Sequence, residues 1–125
     1  MITEDYVSFE TAKLLKEKGF DDVCHAFYDK DGIFINLLQF IGNSNLKGVN
    51  DEKITFAPTL QMAMKWLRKE HFLFIDIDPL TGYKWSWSIW LMNDPTQKMG
   101  ESLQIISNYN EACEAAIKYC LENLI

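Results

Sequence analysis

The sequence predicts an α+β domain in which an antiparallel sheet of about four strands, built from two hairpins, carries three helices packed mainly on one face. Three observations predict it. Strand-forming runs occur in pairs joined by short turn sequences, and three segments place apolar residues at helical spacing. Their order, α-β-β-loop-α-β-β-α, groups each strand pair as a hairpin between helices.

The first helix is expected over 8–18. Ser8 is the N-cap, Phe9, Ala12 and Leu15 with Leu14 one row over form the apolar stripe, and Gly19 supplies a left-handed C-cap. Strand formers at 24–28 and 33–38, separated by Asp29-Lys30-Asp31-Gly32, predict the first hairpin. Residues 42–51 are polar, carry two glycines and follow neither period, so they read as the longest loop and as a ligand-facing candidate. Pro58 suits the first turn of a second helix running to residue 70, with Leu60, Ala63, Met64 and Leu67 inward and Trp66 beside them. Runs at 72–78 and 83–92 flank Pro79-Leu80-Thr81-Gly82 and predict the second hairpin. In its second strand Tyr83, Trp85, Trp87, Ile89 and Leu91 alternate with Lys84, Ser86, Ser88, Trp90 and Met92, so one face is covered and the other open. Asn108, with Glu111 three residues on, caps a last helix whose stripe is Tyr109, Ala112, Cys113, Ala116, Cys120 and Leu124.

A chain of 125 residues with 48% hydrophobic and 24% charged side chains is expected to fold throughout as a single domain, 1–125. No stretch approaches a membrane span and the acidic opening is not a secretory leader, so the expected location is the cytoplasm and no membrane partner is expected. Cys24, Cys113 and Cys120 are odd in number and unpaired in spacing, as reduced buried thiols are. A net charge of −6 opposes binding to a phosphate backbone, so nucleic acid is not an expected partner. Lys13, Lys16 and Lys18, and Lys65, Arg68 and Lys69, each have a glutamate nearby and read as solvated helix faces.

Two segments carry a family resemblance. Pro58-Thr59-Leu60-Gln61-Met62-Ala63-Met64-Lys65-Trp66-Leu67-Arg68 precedes a strand, and Tyr109-Asn110-Glu111-Ala112-Cys113-Glu114-Ala115-Ala116-Ile117 opens the last helix. They resemble small phage and mobile-element proteins of gut bacteria, including the phage-associated α-β-α sandwich domains, in which a helix ending in Trp-Leu leads into a hairpin and a Tyr-x-Glu-Ala segment opens the final helix. The resemblance covers the C-terminal half of the chain. It implies a compact α+β fold and a prophage or mobile-element setting, and transfers neither an activity nor a site residue.

No catalytic, cofactor-binding or metal site is expected from the residues. Cys24-His25 with Cys113 and Cys120 has the ligand types for zinc without the close Cys pairs of a structural site, and neighbours in a strand such as Cys24 and His25 point to opposite faces. His71 reads as a helix-end histidine, and Asp29-Lys30-Asp31-Gly32 departs from a calcium loop at Ile33. Asp76 and Asp78 share one strand face near a turn, a geometry that could hold a hard cation or serve as paired acid/base carboxylates, although without a third ligand they read first as the solvent face or edge of the sheet. The aromatic run is the least ordinary feature: Trp85 and Trp87 read as core, whereas Trp90 and Met92 lie on the open face. The expected function is a non-enzymatic module that binds a protein or a second copy of itself, a homodimer covering Trp90 and Met92 being one form of it. The alternative is a small-molecule binding protein or enzyme with a pocket between the 42–51 loop and strand 83–87, lined by Tyr83 and anchored by Asp76 or Asp78. An acidic mimic of nucleic acid is a third reading, opposed by the even spread of the acidic residues.

Overall fold

A computed structural model describes residues 2–37 and 53–125 of the chain. Helix α1 spans Phe9–Glu17, and the Ser8 hydroxyl caps it by accepting from the Thr11 N–H at 3.2 Å. The turn after it relies on Gly19, whose φ of 102° is disfavoured for any residue with a Cβ. Strands β1 (Ala26–Asp29) and β2 (Phe34–Asn36) form the first hairpin. Its turn is closed by the Asp29 carboxylate, which accepts from the N–H groups of Asp31 at 2.8 Å and Ile33 at 3.0 Å. On its other edge β1 pairs antiparallel with β3 (Ile54–Phe56), a strand too short to register in the sequence pattern. The 42–51 loop, like residue Leu38 at the end of the expected second strand, lies outside the described residues.

Helix α2 occupies Leu60–His71 and opens two residues later than Pro58 suggests. Thr59 is the cap, its Oγ1 accepting from the Met62 N–H at 3.1 Å, while Pro58 is buried before the helix with its carbonyl bonded to the Val7 N–H. Phe72 ends the helix in the left-handed conformation, φ 57°, a place glycine usually fills. The chain then runs through β4 (Leu73–Leu80), β5 (Lys84–Leu91) and β6 (Asp94–Glu101), all antiparallel in that spatial order. Pro79 lies inside β4, which tolerates it as an edge strand. A shift of register at Ile89 and Trp90 bulges β6 and leaves Met99 as the extra residue. Ile106 then returns to exchange backbone hydrogen bonds of 2.8 and 2.9 Å with Trp85. Helix α3 (Tyr109–Tyr119) starts at Asn108, whose side chain accepts from the Glu111 N–H at 3.0 Å, and finishes in a π-helical turn, Cys120–Leu124.

The α+β class is present, but among the described residues the single four-stranded sheet is not: their six strands form two three-stranded sheets, β2-β1-β3 and β4-β5-β6. The difference comes from two strands without a strong alternating pattern. Ile54–Phe56 is three residues long, and Asp94–Glu101 reads Asp-Pro-Thr-Gln-Lys-Met-Gly-Glu, recruited by the neighbouring β5 ladder rather than by its own propensity. The helices divide as well. α2 and α3 pack on the second sheet, whereas α1 packs chiefly on α3, its π-helical turn and β3.

The core lies between these elements. Ala63, Met64 and Leu67 of α2 and Ala112, Cys113, Ala116 and Ile117 of α3 are buried with Leu73, Ile75, Trp87 and Ile89 of the sheet. Each fully buried leucine or isoleucine contributes roughly 1.5–3 kcal/mol. The small residues of α3 let its backbone approach the large side chains of β5, the complementarity expected of a close-packed interior. Tyr109, expected in the buried stripe, is exposed at its start, with its ring 5.1 Å from that of Trp85.

Candidate functional site

Register decides which side chains share the face that α2 and α3 leave open. Leu73, Ile75 and Ile77 face Leu91, Ile89 and Trp87 on the core side. On the opposite side Phe74 stands across from Trp90, Asp76 from Ser88 and Asp78 from Ser86. Met92 continues the row beyond Trp90, its N–H bonded to the Phe72 carbonyl at 2.8 Å. Phe74 is 41% exposed and Met92 48% exposed, with Phe72 also exposed beside them. The sheet's open face therefore has an apolar end at Phe74, Trp90 and Met92, and an acidic stretch at Asp76 and Asp78.

Trp90 is half-buried and held in place. Its indole Nε1–H donates to Ser88 Oγ at 2.9 Å, and the Lys98 ammonium lies 5.4 Å from its ring centroid. Lys98 in turn pairs with Glu101 at 3.0 Å. Burial pushes the Asp76 carboxyl above its ordinary value, and the neighbouring charge and side chain of Asp78 raise it further. Two carboxylates on one strand face without a third ligand are not a cation site, and among the described residues no cluster of three metal-ligating side chains occurs.

Of the residues singled out in the sequence, the structure brings Trp90, Met92, Asp76 and Asp78 onto one face. Tyr83 is not among them. It belongs to the turn between β4 and β5, with φ 61° and 94% exposure, because Leu80 pairs with Lys84 and leaves Thr81, Gly82 and Tyr83 as the loop. The same register corrects the expected pocket. Asp76 and Asp78 face Ser88 and Ser86, so Trp85 and Trp87, one residue out of phase, point to the other side of the sheet, and the carboxylates cannot anchor a ligand against those rings. The 42–51 loop that would close such a pocket lies outside the described residues.

All three cysteines are free and buried. Burial pushes the Cys24 thiol up to about 11 and the Cys120 thiol up to about 12, and raises that of Cys113, so none is poised as a thiolate nucleophile. His71 stacks edge-on against Trp66, ring centroids 4.7 Å apart, in the last turn of α2. A cleft of about 620 Å³ beside these rings is lined by lysines 18, 65 and 69 together with Asp21, Asp22 and Glu70, charges of both signs that select no ligand class. Among the described residues no helix is long and apolar enough to cross a membrane.

Sequence reasoning missed Phe74. The run Leu73-Phe74-Ile75-Asp76-Ile77-Asp78 alternates, and that signal was sufficient to put Phe74 on the face of the two aspartates. It also missed the tie between Ser8 and Glu114, residues far apart in the chain. The Ser8 N–H and hydroxyl both donate to the Glu114 carboxylate, at 3.0 and 2.5 Å, pinning the start of α1 to α3. Comparison with known proteins finds no family model, curated protein or solved structure that matches the chain.

Proposed function

We propose that this chain is a protein-binding module that acts through the open face of the second sheet and performs no chemistry of its own. One observation carries the reading: Phe74, Trp90 and Met92 form an apolar group across two adjacent strands, on a face turned away from α2 and α3. Large apolar and aromatic side chains gathered on a surface are the composition of an interface centre. The buried thiols support binding over catalysis, since none is presented to a substrate as a nucleophile. The unpaired cysteines fit a reducing cytoplasm, and the resemblance of residues 58–68 and 109–117 to phage and mobile-element proteins is what supports a setting of that kind.

The test is site-specific photocrosslinking in cells, with the reactive residue at Phe74 or Met92 and, as a control, at Glu17 on the exposed side of α1. The expected result is one dominant adduct, a partner protein or a second copy, from the two sheet positions and not from the control. Equal labelling from all three positions, or none from the sheet, would remove the reading.

A further inference from the structure

The pattern of the open face says more about its occupant than its apolar character does. Side chains on one face of a strand recur every two residues, roughly 6.6 Å apart. Starting from the row of Phe74 and Trp90, the next row holds Asp76 and Ser88 with Glu101 opposite, and the row after it holds Asp78 and Ser86. Among the described residues, neither Asp76 nor Asp78 forms an ion pair with a lysine or arginine. Of the cations on this face, Lys98 is engaged by Glu101 and the Trp90 ring, and Lys84 lies one row beyond Asp78, across from Leu80.

We infer that the occupant is a segment of another protein with an apolar anchor flanked by lysine or arginine, the anchor seated on Phe74 and Trp90 and the basic side chains over Asp76 and Asp78. The inference rests on the proposed reading of this face as a docking surface. Charge complementarity favours such a partner over a second copy. If two copies met face to face about a two-fold axis along the strands, the aspartate rows of each would meet those of the other. With the axis across the strands at the central row, the Asp76 rows would still coincide and Asp78 would be driven against the Phe74 and Trp90 rings of its mate. Either arrangement gathers the four aspartates of the two copies into one interface, over serines, over each other or over aromatic rings, with no lysine or arginine opposite them, and uncompensated like charges in an interface are strongly disfavoured. A basic flank reverses the sign of that interaction and also relieves the mutual repulsion of Asp76 and Asp78.

The experiment uses the full chain and two probe peptides, one alternating leucine with lysine and one alternating leucine with glutamate. Affinity is read by calorimetry and the contact surface by amide shift changes in NMR. The lysine peptide is expected to bind with shifts centred on Phe74, Asp76, Asp78 and Trp90. Replacing both aspartates, Asp76→Asn and Asp78→Asn, should weaken it by about tenfold, as two partly exposed ion pairs are lost. Both substitutions keep side-chain shape, at an exposed Asp78 and a half-buried Asp76, and circular dichroism is used to check folding. Equal affinity for the two peptides, or no loss in the double asparagine variant, overturns the inference. If Phe74→Ser or Trp90→Ser abolishes binding in that same case, the docking face stands without its basic occupant. If those variants also bind normally, or if neither peptide binds, the docking face falls too. A concentration-dependent dimer of the wild type that Phe74→Ser dissolves assigns the face to a second copy and likewise overturns the inference.

Discussion

Replacing Gly100 by alanine tests the packing that shapes the second sheet. Gly100 lies opposite Ile89 beside the bulge, and a Cβ there would stand 2.5 Å from Cε1 and 3.1 Å from Cδ1 and Cζ of Tyr119. The half-buried Tyr119 ring also packs against Trp87, with ring centroids 5.2 Å apart, and Trp87 is buried, which resists displacement on that side. Ordinary carbon contacts are about 3.5–4 Å, so the ring or the strand must move by about 1 Å. Overpacking of this kind costs about 1–3 kcal/mol. For a chain of this length about 2 kcal/mol corresponds to a fall of about 8 °C in Tm. The sign is the sharp part of the test, since glycine in a strand is otherwise less stable than alanine by roughly 0.5–1 kcal/mol. Urea denaturation followed by tryptophan fluorescence gives the free energies for Gly100→Ala, Tyr119→Ala and the double variant. The alanine should destabilise wild type and cost little or nothing once the Tyr119 ring is gone. A Gly100→Ala protein as stable as wild type, or an equal cost in both backgrounds, refutes the reasoning.

The two faces of the second sheet should respond oppositely to truncation: Ile89→Ala should cost about 2–5 kcal/mol in thermal or urea unfolding, whereas Met92→Ser should leave stability nearly unchanged. Ser8→Ala should cost about 1 kcal/mol by removing the cap of α1, and a double-mutant cycle with Glu114→Gln should show coupling through their hydrogen bond; additive losses would sink that link. The thiols should ignore a disulfide reagent in native protein at mildly alkaline pH and all react in urea. Their folded pKa values lie above the ordinary 9.0, at about 11 for Cys24 and about 12 for Cys120, so the folded state holds these protons more tightly. That stabilisation is complete below about pH 9 and is lost as pH rises toward the folded values, with Tyr28, also raised by burial, adding to the same slope; a urea midpoint that stays flat or rises above pH 9 contradicts it.

Helices and hairpins were legible because their signals are local. Ser8, Asn108 and the apolar stripes of α1, α2 and α3 bond or bury within a few residues of themselves, and the alternation of β5 is strong enough to name its two faces. Two things were not local. The third strand of each sheet is defined by its neighbour: Ile54–Phe56 by β1, and Asp94–Glu101 by β5 through a bulge. Loop length likewise depends on pairing. Pro79 and Leu80 read as turn residues, yet the β5 ladder keeps them in β4 and displaces Tyr83 into the loop. At the candidate site Trp90, Met92, Asp76 and Asp78 followed from period-two reasoning, whereas the separation of the aspartates from Trp85 and Trp87 required the register between strands.

That separation also explains how an aromatic open face is compatible with a stable free protein. Trp90 is half-buried beside the β6 bulge, where Lys98 lies over its ring and Ser88 Oγ accepts a hydrogen bond from its indole N–H. An exposed cation–π contact is worth about 0.5–1 kcal/mol, and the Lys98 to Glu101 pair that steadies it is itself half-exposed and weak. Burying one side of an indole in an interface gains more than that, since full burial of a large apolar side chain is worth roughly 1.5–3 kcal/mol. On the proposed reading of this face, the contact of the Lys98 ammonium with the ring is therefore weak enough for a docking partner to replace, while Phe74 and Met92 are the more exposed apolar side chains beside it.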